Sequence, residues 1–144
     1  MTSLFSARQL DGIVAELKIE EGFRSHCYQC PAGKHTIGFG RNIDEVGGLG
    51  ITEDEALDLL ENDVYRSVKS CRRWHWFDTL KPVHQSVLVQ LCFQMGMPAL
   101  SGFVKMLGAI ERGDMNTAAA ELLDSKFARQ VPARAERLAR QLRN

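Results

Sequence analysis

Glu20-Glu21-Gly22-Phe23-Arg24-Ser25-His26-Cys27-Tyr28-Gln29-Cys30-Pro31-Ala32-Gly33-Lys34-His35-Thr36-Ile37-Gly38-Phe39-Gly40 changes physical character part-way along. Upstream of it, Ser6-Ala7-Arg8-Gln9 reads as a capping box, and Leu10, Ile13, Val14 and Leu17 recur at helical spacing. A helix is therefore predicted from about Ala7 to about Glu21, with Gly22 as its stop. After Tyr28, Pro31, Gly33, Gly38 and Gly40 interleave with Thr36, Ile37 and Phe39, the pattern of short strands joined by tight turns.

Helical patterning then resumes. Thr52 and Glu55 form a second capping box, and helices are predicted over 53–69, 83–95, 101–112, 115–124 and 133–142. Gly96, Gly102 and Gly113 mark ends, and Pro132 suits a first helical turn. The fold class is accordingly α+β and mainly α-helical, with a small N-terminal β-lobe, a long helix from Glu53 and a helical C-terminal lobe. There is no internal repeat and no low-complexity linker. With 144 residues and 44% hydrophobic content, the chain has material for one good core, so residues 1–144 are expected to form a single domain of two unequal lobes.

Ala56, Leu57, Leu60 and Val64 are expected to be the buried stripe of the long helix. Phe127, Cys27, Cys71 and Cys92 are also assigned to the core, and Trp74, Trp76 and Phe77 to packing between the long helix and the next. Loop 41–50, with Gly47, Gly48 and Gly50, is the expected mobile segment.

Net charge is zero but segregated. Residues 44–63 carry eight acidic side chains and no Lys or Arg, which fits the solvated face of the helix. Residues 125–144 carry Lys126, Arg129, Arg134, Arg137, Arg140 and Arg143 against Glu136 alone, a cationic end that either complements the dipole of a C-terminal helix or attracts an anionic cell wall, lipopolysaccharide or phosphate. Only Leu4 and Phe5 precede the polar residues at the N-terminus, so neither a signal core nor a membrane anchor is expected, and no stable membrane insertion. Accumulation in the cytoplasm follows as an expectation.

The chemistry-bearing residues are an acid, Glu21, a thiol, Cys30, and a hydroxyl, Thr36, within sixteen positions. The acid closes the helix while the other two fall in the β-like segment, so all three can line one cleft. A carboxyl in a last helical turn meets the negative end of the helix dipole, which disfavours its ionised form. Two other readings use the same residues. Cys27, Cys30 and His35 have the spacing that begins a zinc knuckle, but Gly40 stands where the fourth ligand belongs, and His26 beside Cys27 would strain tetrahedral geometry. Cys27-x-x-Cys30 lacks the βαβ surroundings of a redox dithiol, and strand alternation would set the two on opposite faces. Neither a metal nor another cofactor is expected, and no nucleic-acid partner.

These residues resemble the phage lysozymes, or endolysins, of glycoside hydrolase family 24. The resemblance rests on Glu21-Gly22-Phe23-Arg24, Tyr28, Thr36-Ile37-Gly38-Phe39-Gly40, Gly50-Ile51-Thr52-Glu53-Asp54-Glu55-Ala56, Phe93-Gln94-Met95-Gly96 with Gly102-Phe103, and Pro132-Ala133-Arg134-Ala135-Glu136-Arg137, in order along nearly the whole chain. It implies a lysozyme-like fold and a bacteriolytic muramidase, an enzyme that hydrolyses the β-1,4 bond between N-acetylmuramic acid and N-acetylglucosamine in peptidoglycan. In that family a Glu, an Asp and a Thr form the active site. The carry-over gives Glu21, Cys30 in the place of the Asp, and Thr36 as catalytic residues, with Phe93, Gln94 and Arg134 binding substrate. It further matches Glu20 and Arg137 to a helix-end pair and Phe127 to the edge of the cleft, and implies a monomer that reaches the periplasm through a separate membrane lesion made by a holin. A non-catalytic peptidoglycan-binding module is the competing class, since it would keep Gln94 and Arg134 without needing Glu21; a zinc-binding module is the third.

Overall fold

Residues 6–144 are described by a computed structural model. Leu4 and Phe5, on which the reading of the N-terminus rests, lie outside them. Helix α1 covers Ala7–Glu21 and begins at the predicted capping box: Ser6 Oγ accepts from the Gln9 amide at 3.2 Å, and Gln9 Oε1 accepts from the Ser6 amide at 2.8 Å. Gly22 ends it, its amide donating to the Lys18 carbonyl at 3.1 Å. Strands β1 (Arg24–Gln29), β2 (His35–Gly38) and β3 (Arg41–Asn42) then form an antiparallel sheet in the order β1-β2-β3. Tyr28 faces Thr36 across one ladder and Thr36 faces Asn42 across the other, with an irregularity in β1 between Arg24 and Tyr28. This mainly α-helical α+β fold, with its small sheet near the N-terminus, matches the class read from the sequence.

The chain divides into two compact units, 1–56 and 57–144. Helix α2 (Glu53–Cys71) runs across that division. Its first turn is held by the second predicted capping box, Glu55 N to Thr52 Oγ1 at 3.1 Å and Thr52 N to Glu55 Oε1 at 2.9 Å.

The second unit continues through α3 (Pro82–Met95), α4 (Met97–Ser101), α5 (Val104–Arg112), α6 (Met115–Leu123), α7 (Lys126–Gln130) and α8 (Pro132–Arg143). Leu88, Leu91, Leu100, Met106, Ile110, Leu122, Leu138 and Leu142 are its largest fully buried side chains. Helix α8 shows the logic in one element. Ala135, Leu138, Ala139 and Leu142 recur at helical spacing and are buried, while Arg137, Arg140 and Arg143 are exposed. Pro132 stands in its first turn, as expected.

Several expectations are corrected. The helix predicted over 101–112 begins only at Val104, because Gly102 and Phe103 lie outside the helical path, and the short helix α4 before it is additional. Helix α7 is additional; Ser125 caps it by accepting from the Ala128 amide at 3.1 Å. Leu57, Leu60 and Val64 are not buried but 50%, 45% and 39% exposed. The middle of α2 faces an open groove of about 460 Å³, which Leu60 and Val64 line with Phe77, Val89 and Phe93, so helical spacing there meets a groove rather than a closed core. Phe127, Cys71 and Cys92 are core, as expected, and Phe77 is buried with Trp74 and Trp76 packed against the same cluster.

Loop 41–50 is also better tied than expected. The Ile43 amide donates to the His35 carbonyl at 2.8 Å, and Asp44 accepts from His35 Nδ1 at 2.6 Å and from the His35 amide at 3.1 Å. Arg41 donates to Glu55 through both terminal nitrogens, at 2.8 and 3.1 Å, and to the Gly50 carbonyl at 2.9 Å. Those guanidinium bonds, followed by the Thr52 amide, hold the Glu55 carboxyl down to about 2. Because the folded value lies below the ordinary carboxylate value of about 4.3, the stabilisation is complete above that value and is lost as pH falls through about 2. Melting temperatures of wild type and Glu55→Gln should therefore differ most between about pH 5 and 7 and converge towards about pH 2. A difference independent of pH would show that the charge on Glu55 is not what stabilises the loop.

No helix of the described residues is long and apolar enough to cross a membrane.

Candidate active site

The first unit places the three candidate catalytic side chains by three different devices. Thr36 lies on the central strand β2, paired on both sides, and is only 4% exposed. Cys30 follows β1 at the start of the turn into β2, where its amide donates to the Lys34 carbonyl at 2.9 Å and its carbonyl accepts from the Gly33 amide at 2.7 Å. Gly33 takes φ +79°, a left-handed conformation that lets the turn close this tightly. Glu21 is the last residue of α1 and is exposed.

The backbone N–H of Lys34, then that of Ala32, and the hydroxyl of Thr36 hold the thiol below its ordinary range, against the opposing effect of partial burial. Each of these donors favours the thiolate. Thr36 has only one hydroxyl proton, and Oγ1 also lies 2.9 Å from the Lys34 carbonyl. That proton goes to the carbonyl that also accepts from the Cys30 amide at 2.9 Å, so Cys30 and Thr36 share one backbone acceptor.

Glu21 is located by a residue that sequence reasoning did not single out for that role. Gly40, at φ +80°, lies so close that a Cβ built on it would stand 2.6 Å from Glu21 Oε2 and 2.9 Å from its carboxyl carbon. The absent side chain is the space the carboxyl uses. The visible signal was Gly38-Phe39-Gly40, but nothing in that pattern names the partner.

In the second unit, Phe93 and Gln94 lie near the end of α3, both exposed, and Arg134 lies in the first turns of α8. Arg134 Nε donates to Gln94 Oε1 at 3.4 Å, and Phe93 and Arg134 line the groove described above. Thus Cys30 joins Thr36, Glu21 rests on Gly40, and Gln94 joins Arg134. Glu20 and Arg137 are each exposed within their own units.

Two cysteine expectations change. Cys27 is exposed rather than core, because β1 is an edge strand with no buried residue. Cys30 lies beyond β1, so strand alternation does not govern its direction. Of the histidines near them, His26 Nδ1 meets Ser25 Oγ at 2.9 Å and His35 Nδ1 meets Asp44. Cys71 and Cys92 are both buried, and burial, followed by the neighbouring Cys92 thiol, pushes the Cys71 thiol up.

Residues 18–140, which include every residue discussed in this section, match the family model described as phage lysozyme.

Proposed function

The chain belongs to the phage lysozyme family, whose members are lysozyme-type hydrolases of peptidoglycan, and from that premise we propose that it is a family 24 endolysin cleaving the β-1,4 bond between N-acetylmuramic acid and N-acetylglucosamine. Residues 1–144 act in this reading as one monomeric muramidase domain that lyses the host cell for phage release, after a holin has opened the inner membrane. Glu21 protonates the leaving glycosidic oxygen. Cys30, as a thiolate, takes the position of the family's carboxylate on the opposite face of the sugar, and Thr36 holds the water. Phe93, Gln94 and Arg134 bind the glycan strand.

The observation that carries this reading is the turn that sets Cys30 beside Thr36, the Cys30 amide and the Thr36 hydroxyl both donating to the Lys34 carbonyl, with the thiol held below its ordinary range there. A retaining or inverting glycosidase needs a negative or strongly polar group facing the developing oxocarbenium ion, and a thiolate so held supplies one without a carboxylate. The exposed arginines of α8 suit a polyanionic wall but perform no chemistry in this scheme.

Bond specificity is tested on purified Gram-negative peptidoglycan digested by the wild-type protein and then reduced with borohydride. Reduced muramic acid should appear as the new end. Reduced glucosamine would reassign the enzyme as a glucosaminidase, and new amino groups without reducing ends would reassign it to the peptide cross-links. Sedimentation with peptidoglycan without release of either would favour the binding-module reading.

A further inference from the structure

Phe23 and Phe39 have no role in the scheme above, yet each stands within two residues of a partner in the Glu21–Gly40 contact. Phe23 follows Glu21-Gly22, and Phe39 precedes Gly40. Their ring centroids are 5.5 Å apart with planes inclined at 45°, and they are 65% and 47% exposed. Two large aromatic rings paired with each other but left in solvent are costly to keep at a surface unless something covers them. Three glycines, Gly22, Gly38 and Gly40, flank them with positive φ angles, so the backbone on either side is bent to present the rings where they are.

We propose that Phe23 and Phe39 form a stacking platform for a pyranose ring of the glycan strand, next to the carboxyl of Glu21. A pyranose carries its axial C–H groups on one face and its hydroxyls around the rim. That face is slightly positive and apolar, and the face of an aromatic ring is negative and apolar, so the two match in both charge and hydration. Phe39 already shows this preference within the protein, because the Lys18 ammonium lies 5.9 Å from its ring centroid. The Glu21 carboxyl lies against Gly40, the residue after Phe39, so a sugar seated on the rings presents its linkage beside the acid. The platform binds ground state and transition state alike, and its contribution falls on KM rather than kcat.

This inference rests on the hydrolase reading, and the experiment separates the two. Phe23→Leu and Phe39→Leu keep apolar bulk but remove the aromatic face, whereas Phe23→Tyr and Phe39→Tyr keep it. On soluble, uncross-linked glycan strands, each leucine variant should raise KM by about tenfold and leave kcat within about twofold of wild type. The tyrosine variants should match wild type. Sedimentation binding of the same proteins to purified peptidoglycan should weaken in the leucine variants only, a result readable whether or not wild type releases reducing ends. Wild-type KM and binding in the leucine variants would overturn the platform. So would a fall in melting temperature shared by leucine and tyrosine variants, which would make the pair a packing element.

Discussion

Glu21→Gln should release reducing ends from peptidoglycan at least about a hundredfold more slowly than wild type, with an unchanged melting temperature. The size follows from what a positioned general acid contributes, about two to four orders of magnitude, and from the poor leaving group an unprotonated sugar alkoxide makes. The amide has the shape of the acid, so it still fits over Gly40, and Glu21 is an exposed helix-end residue whose charge no ion pair among the described residues depends on. Gly40→Ala provides the complementary test. It leaves the acid in place chemically but drives a methyl group to within 2.6 Å of Oε2 at a backbone angle that alanine rarely adopts, so it should lower kcat through displacement of Glu21. Equal rates for wild type and Glu21→Gln would remove Glu21 from the chemistry.

The way Gly40 acts on Glu21 also shows what a sequence conceals. Both capping boxes, Ser6–Gln9 and Thr52–Glu55, were legible because capping is a local rule: the residues that specify the bond lie three apart. The bounds of α1 followed from the first box and from Gly22. Contacts between distant positions have no such rule. Glu21 and Gly40 are nineteen positions apart in the chain, and neither names the other. The donors that favour the Cys30 thiolate were hidden for another reason, since they are backbone amides and any residue type except proline at positions 32 and 34 would offer the same groups. Only the turn geometry aims them.

Burial was the least legible property. Leu57, Leu60 and Val64 have the spacing of a buried stripe, which shows that they share one side of α2 but not that the side is closed. Cys27 failed similarly, because cysteine's preference for the interior is weaker than the fact that β1 is an edge strand with nothing buried along it. Helix α7 was missed because five residues are too few to show a period.

Cys30 yields the most discriminating prediction, since its replacement can remove, weaken or restore a negative charge at one position. Cys30→Ala removes the group altogether and should reduce hydrolysis by about a hundredfold or more, on the scale of a lost catalytic side chain. Cys30→Ser keeps a hydroxyl of similar size that does not ionise near neutrality, so it should be as inactive as the alanine variant if charge is what matters. Cys30→Asp restores a carboxylate and should be active. The pH profile then separates thiolate from thiol. The turn amides lower the wild-type thiol below its ordinary value, so the thiolate accumulates as pH rises through that lowered value. In Cys30→Asp the corresponding ionisation moves several units lower, to the carboxylate range, so the pH optimum of hydrolysis should move lower with it. Iodoacetamide gives an independent reading of the same ionisation: its rate of inactivating wild type should rise as the thiolate forms, because only the thiolate is alkylated, and it should leave Cys30→Asp active. If Cys30→Ser retains wild-type activity with a wild-type pH profile, the anion held by the turn is not the working group. The position then serves by hydrogen bonding through Thr36, whose single proton would stay on the Lys34 carbonyl side throughout the cycle.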